Sequence, residues 1–168
     1  MSKNLIGTLS VTDIFDNLSP TQLNLVASIC ERAAYGKGEV VFRENEGSDD
    51  MYVIARGAIE VLMNPGVISI EGSMEPIVLT ELRRGQVFGE LALVDQGLRS
   101  ATIRATRDHT EVFRIPRDRL ILLCDTYPEL GYTIMRNVAA DLALKIRNTD
   151  LTIRQYQLMM SGKRKSPS

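Results

Sequence analysis

The stretch 36-GKGEVVFRENEGSDDMYVIARGAIEVLM-63 decides how this chain is read. Within it, 39-EVVF-42, 51-MYVIA-55 and 58-AIEVLM-63 are short runs of strand-forming residues, with Gly38, Gly47 and Gly57 in the gaps. Short runs punctuated by glycine are strand signals, because glycine supplies the positive φ that tight turns use. The pattern continues outward through 67-VISI-70, 77-IVLTEL-82, 101-ATIRAT-106 and 111-EVFRIP-116, with Gly66, Gly72 and Gly85 in the turns. Strands so short and so evenly spaced predict an antiparallel β-roll over about 36–116, a jelly-roll-like double-stranded β-helix, rather than a βαβ sheet.

Helical periods flank the roll. Over 12–33, Ile14, Phe15 and Leu18, then Leu23, Val26, Ile29 and Cys30, recur at helical spacings. Ser19 before Pro20, with Gln22 three residues on, is a capping-box start. The spacing predicts a short helix ending near Leu18 and a second from about Pro20 to Ala33. Beyond Pro116, within about 117–160, one helix is expected over Asp118–Thr126, carrying Leu120, Leu122 and Leu123, and a long one starts at Pro128. Along the long helix Met135, Leu142, Thr149 and Tyr156 repeat every seven residues, as do Ala139, Ile146, Ile153 and Met160. Such a seam of about three to four heptads points to a homodimer paired through this helix. The tail 161-SGKRKSPS-168 is polar and basic. The class is α+β, one domain over 1–168.

Composition narrows the function. With 168 residues, 44% hydrophobic and 24% charged, the chain can bury a core, and its net charge of −1 argues against direct DNA binding. No apolar run reaches the roughly 18–20 residues of a membrane span, and 1-MSKNLIGTLS-10 lacks a signal-peptide core. Cys30 and Cys124, in apolar contexts, read as reduced core residues of a cytoplasmic protein. The lone His109 sits in the polar turn 106-TRDHT-110 with no metal-ligand cluster around it, and no P-loop or G-x-S-x-G occurs. A binding protein, not an enzyme, without metal or catalytic cofactor, is the expectation.

The segment 88-FGELALVDQGLRSAT-102 says what is bound. Gly89 permits close approach of backbone, and 90-ELALV-94 suits one helical turn whose free N–H groups favour an anion. Arg99 adds a fork for phosphate oxygens, and Ser100 adds a hydroxyl. Glu90 as a carboxylate only accepts, so it calls for a donor such as a sugar hydroxyl. Ala92, Gly97 and Ala101 keep space open. A sugar phosphate meets all of these demands; a salt bridge between Glu90 and Arg99 is the plainer alternative.

Phe88, Gly89, Glu90, Leu91, Ala92, Leu93, then Arg99, Ser100, Ala101, Thr102 resemble the phosphate-binding cassette of the cyclic nucleotide-binding domain family, F-G-E-[LI]-A-L followed by R-[AST]-A-[TS]. The family includes catabolite activators and protein kinase A regulatory subunits, and the likeness extends to 18-LSPTQLNLVA-27 and to Y-V-I-x-x-G at Tyr52–Gly57. The resemblance implies Arg99 on the cyclic phosphate and Glu90 on the ribose 2′-hydroxyl. It implies backbone N–H groups of Leu91, Ala92 and Ala101 in a phosphate cradle, Ser100 on phosphate or guanine, and Val61 and Leu79 against the purine. Catabolite activators read adenine with hydroxyl residues on the long helix, where this chain has Lys145 and Ile146; Asn148 and Thr149 follow a turn later, and Arg147 is placed to stack on the base. Leu98 replaces a common proline. The implied ligand is a cyclic purine nucleotide, cAMP ahead of cGMP, with the signal passed through the C-terminal helix to a downstream protein. The alternative is a truncated catabolite-activator-type transcription regulator lacking the helix-turn-helix that this class carries after the long helix.

Overall fold

The computed structural model describes residues 2–64, 75–95 and 97–163. Two four-stranded antiparallel sheets form the roll. One has the order β1-β8-β3-β6 and the other β2-β7-β4-β5, with β1 Glu31–Tyr35, β2 Val40–Phe42, β3 Met51–Arg56, β4 Ala58–Met63, β5 Ile77–Arg83, β6 Val87–Phe88, β7 Thr102–Ala105 and β8 Thr110–Ile115. Helices α1 Ser2–Leu9, α2 Pro20–Ile29, α4 Arg117–Thr126 and α5 Pro128–Lys163 belong to the two ends of the chain, and the one-turn α3, Leu91–Val94, lies between β6 and β7. Low exposure of both faces of β3 explains its unbroken apolar run: Met51 and Val53 join the helices' core, while Tyr52 and Ile54 join the interior of the roll. At the β3–β4 turn Gly57 has φ +84°, and a β-carbon there would lie 2.5 Å from Thr110 Oγ1, so glycine is required.

The helical core contains Leu9, Ile14, Phe15, Val26, Ile115, Leu120, Leu130, Ile134 and Val138. The roll's interior contains Phe42, Tyr52, Ile59, Phe88, Ile103 and Val112, with the Tyr52 and Phe88 rings stacked at 5.0 Å. Ser19 caps α2 as its sequence predicts: Gln22 N–H donates to Ser19 Oγ at 3.2 Å, and Ser19 N–H donates to Gln22 Oε1 at 2.8 Å. Both cysteines are free, and burial pushes the Cys30 thiol up to about 12.

Several expectations need correction. The second helix stops at Ile29 rather than Ala33, and Glu31–Tyr35 becomes an edge strand on β8. Glu, Arg and Ala favour helix, but pairing from Glu31↔Arg114 to Tyr35↔Thr110 and the Arg114–Glu31 ion pair at 2.9 Å outweigh that preference. The first predicted helix is only a 3-10 turn, Asp13–Phe15, and Asn17 at φ +65° ends it. Helix α1 and strand β6 were not anticipated, the latter because two residues carry no period. The predicted strand 67–70 and the turn glycines Gly66 and Gly72 lie outside the described residues.

Helix α5 starts on the domain and then leaves it. Leu130, Ile134 and Val138 are buried, and Asn137 Nδ2 donates to the Ile14 and Asp16 carbonyls at 3.2 and 2.8 Å. Past Leu142 its apolar side chains are exposed, among them Leu144, Ile146, Leu151, Ile153 and Leu158. No helix among the described residues is long and apolar enough to cross a membrane.

Candidate functional site: the cassette between β6 and β7

Gly89, at φ +76°, turns the chain out of β6 so that α3 begins beside the Arg99 guanidinium. Arg99 is 5% exposed, and each of its three guanidinium nitrogens donates to a neutral oxygen: Nε to Ser48 Oγ at 2.8 Å, Nη2 to the Asp50 carbonyl at 2.7 Å, and Nη1 to the Gly89 carbonyl at 3.5 Å. The Phe42 ring lies beneath it, 4.0 Å from Cζ to the centroid. Burial lowers the Arg99 pKa, opposed by Tyr52, Asp50, Asp49 and Glu46. Arginine stays charged even so, and a buried cation with no anion within bonding reach among the described residues favours an anionic guest.

The loop between β2 and β3 clasps the same residue. Arg99 N–H donates to the Glu46 carbonyl at 3.0 Å, and Asn45 N–H donates to the Arg99 carbonyl at 2.8 Å. Sequence reasoning missed this loop, including Ser48 and Asp50, and missed Phe42 beneath the guanidinium. A polar run such as 44-ENEGSDD-50 reads simply as a solvated turn. Its acidic density was the available signal.

Glu90 is 6% exposed and does not pair with Arg99, so the plain salt-bridge alternative is corrected. Its Oε1 instead accepts from Lys145 Nζ of α5 at 2.8 Å. Lys145 Nζ is also 2.8 Å from Asp141 Oδ2, so one ammonium bridges Glu90 of the cassette and a carboxylate one turn earlier on its own helix. Burial alone would lower the Lys145 pKa, but Glu90 and Asp141 together hold it above the ordinary lysine value.

The other predicted residues are only partly assembled. Ala92 N–H donates to the Gly89 carbonyl at 3.2 Å, so this cradle amide is turned inward, and Arg117 Nε donates to the Ala92 carbonyl at 2.8 Å. Leu91 and Ser100 are exposed, and Ala101 is buried just ahead of β7. Val61 packs partly on the roll's interior, whereas Leu79 stands exposed at the irregularity where Val61 pairs with Thr80 and Leu62 with Val78. Arg147 is not brought to the cassette: it is exposed, and its Nε donates to the Ala143 carbonyl of its own helix at 3.4 Å. Being the second residue after Lys145, it points away from the face that Lys145 turns to Glu90. Among the described residues no group of three or more His, Cys, Asp or Glu side chains is arranged for a metal.

A buried guanidinium and a sheltered carboxylate thus belong to one short segment of the β-roll, on either side of the one-turn α3. The chain belongs to the cyclic nucleotide-binding domain family, whose model matches residues 32–127. It is 29% identical over 140 residues to the cyclic AMP receptor protein of Thermus thermophilus, covering 83% of this chain and 60% of that protein. It is 32% identical over 114 residues to a cGMP-dependent protein kinase of Caenorhabditis elegans, covering 68% of this chain but only 14% of the kinase. Among solved structures, the Thermus thermophilus catabolite activator protein superposes with a TM-score of 0.72 at 27% identity, over 87% of this chain and 63% of that one. A cyclic nucleotide-binding domain of Methylobacillus flagellatus, at TM-score 0.77 and 19% identity over 92% of this chain and 83% of its own, shares the fold.

Proposed function

We propose that this domain is a receptor for a cyclic purine nucleotide, cAMP ahead of cGMP, and that it signals through α5 to a downstream protein. The cyclic phosphate takes the Arg99 guanidinium, with the amides of Gly89, Leu91 and Ala101 around it, and the ribose 2′-hydroxyl donates to Glu90. Val61 and Leu79 pack on the purine. The observation that carries this reading is the buried Arg99, whose every hydrogen bond ends on a neutral oxygen. Relatives of both kinds match, the cyclic AMP receptor protein over 83% of the chain and cGMP-dependent kinases over 68% and 76%, and titration with both nucleotides decides their order.

Calorimetry on nucleotide-stripped protein tests it. Arg99→Ala strands a buried phosphate charge, which costs about 3–5 kcal/mol and lowers affinity by roughly a few hundredfold or more. Arg99→Lys is expected to bind poorly too, because an ammonium cannot reproduce the fork. Wild-type affinity for cAMP and cGMP in Arg99→Ala sinks the reading.

A further inference from the structure

Asp50 serves the site with its main chain and not with its charge. Its carbonyl accepts from Arg99 Nη2 at 2.7 Å, while its carboxylate Oδ2 accepts from Arg114 Nε of β8, also at 2.7 Å. Arg114 is itself anchored. Its Nη1 donates to Glu31 Oε2 of β1 at 2.9 Å, and the other oxygen of Glu31 accepts from Arg119 Nη1 of α4 at 3.2 Å. The row Arg119, Glu31, Arg114, Asp50 therefore alternates in sign from α4 to the β2–β3 loop and stops beside Arg99. The hydrogen bond to Asp50 is the largest cause of the raised Arg114 pKa. The Asp50 side chain is only 14% exposed, so water and salt screen its charge poorly.

We infer that Arg114 is a positioning residue of the phosphate subsite: by holding the Asp50 carboxylate it keeps that anion off Arg99 and leaves the guanidinium charge for the ligand. The inference rests on the reading of Arg99 as the residue that takes the phosphate. Of the guanidinium's partners Ser48, Gly89 and Asp50, only Asp50 is acidic. Its carbonyl and its carboxylate hang from one residue, so a change of side-chain rotamer is enough to bring the carboxylate to Arg99. A guanidinium favours a carboxylate over a neutral oxygen, because a charge-assisted hydrogen bond is about twice as strong. The neutral shell of Arg99 therefore needs a reason, and the competing hold of Arg114 supplies it. Arg114 is suited to this task because its fork spans two carboxylates, Asp50 by Nε and Glu31 by Nη1. Its side chain is 42% exposed and belongs to neither apolar core, so its charge can be removed without opening a cavity.

The test is a double-mutant cycle on the whole chain, stripped of nucleotide, with calorimetry against cAMP and cGMP. Arg114→Met frees Asp50 to pair with Arg99 and is expected to weaken binding roughly tenfold, the low end for a hydrogen bond to a charged group. Beside Asp50→Asn the same change should cost less than about twofold, because no carboxylate is left to compete. Arg114→Lys, which keeps a cation near Asp50, should fall between wild type and Arg114→Met. If Arg114→Met does not fold, Arg114→Gln takes its place in the cycle. An equal loss in both backgrounds overturns the inference, since Arg114 would then act through its own charge or through the fold. Wild-type affinity in Arg114→Met overturns it as well, since Asp50 would then stay off Arg99 unaided. Should wild type bind neither nucleotide, the phosphate reading has failed by itself, and the Arg99 Nε–H resonance in nitrogen-15 spectra judges the inference. Arg114→Met must then shift that resonance, the same change beside Asp50→Asn must leave it in place, and any other pattern ends the proposal.

Discussion

A β-carbon at Gly89 would lie 2.8 Å from Nη1 of Arg99 and 2.8 Å from the Asp50 carbonyl oxygen, on a backbone already at φ +76°. Neither obstacle can yield cheaply, since one is main chain and the other is the charge the site is built around. Gly89→Ala is therefore expected to destabilise the fold by about 1–2 kcal/mol through left-handed strain and to weaken nucleotide binding by displacing Arg99. Urea unfolding and calorimetry check the two effects, and intact affinity would show that Arg99 is not positioned by this turn. The F-G-E and R-S-A-T residues of this site were legible in the sequence because adjacent residues share one local shape. Ser48, Asp50 and Lys145 were not, since each reaches the cassette across 51, 49 or 55 residues of chain.

At the scale of elements, α4 and α5 pack closely at a small residue, Gly131. A β-carbon on Gly131 would lie 2.8 Å from the Cys124 carbonyl oxygen and 2.9 Å from its Cβ, so the two helices are in backbone contact there. Arg117, at the start of α4, donates to the Ala92 carbonyl of α3, which ties this helical joint to the cassette. Gly131→Ala forces the helices apart and is expected to cost about 1–3 kcal/mol, as overpacking does. A urea midpoint equal to wild type would mean that the joint accommodates the methyl. Helices with caps and periods of their own were readable in advance: Ser19 opens α2 and Pro128 opens α5 as anticipated. The end of α2 was not, because 31-ERAAY-35 has helical propensity and becomes strand only through a ladder to residues about eighty positions away.

For the whole molecule, the question is what α5 does after it leaves the domain. Its 36 residues rise about 1.5 Å each, some 54 Å in all, and only the first turns bury apolar side chains against the core. Of the heptad positions, Met135 and Leu142 are spent partly on that core, while Ala139, Ile146 and Ile153 stay exposed. β-Branched residues at such positions favour two parallel strands, so the expected assembly is a dimer through Ile146 and Ile153. Ile146→Asp with Ile153→Asp should give a monomer by light scattering that still binds nucleotide. A persistent dimer would move the seam to Leu144, Leu151 and Leu158, which repeat on the opposite side of the helix and which the heptad reading overlooked.

Two kinds of information are separable in this protein. Glycine-punctuated short strands, a capping box, prolines at helix starts and a ten-residue cassette are local signals, and they were sufficient to determine a β-roll between helices and the family it belongs to. Local signals work there because turn φ, cap geometry and side-chain period depend on residues a few positions apart. Only tertiary structure decided which partner each buried charge would take. The fold set Arg99 against neutral oxygens of the β2–β3 loop and brought Lys145 over Glu90. A buried ion's partner is chosen by desolvation and by which distant side chains the fold carries into reach, and neither is written in the spacing of its neighbours along the chain.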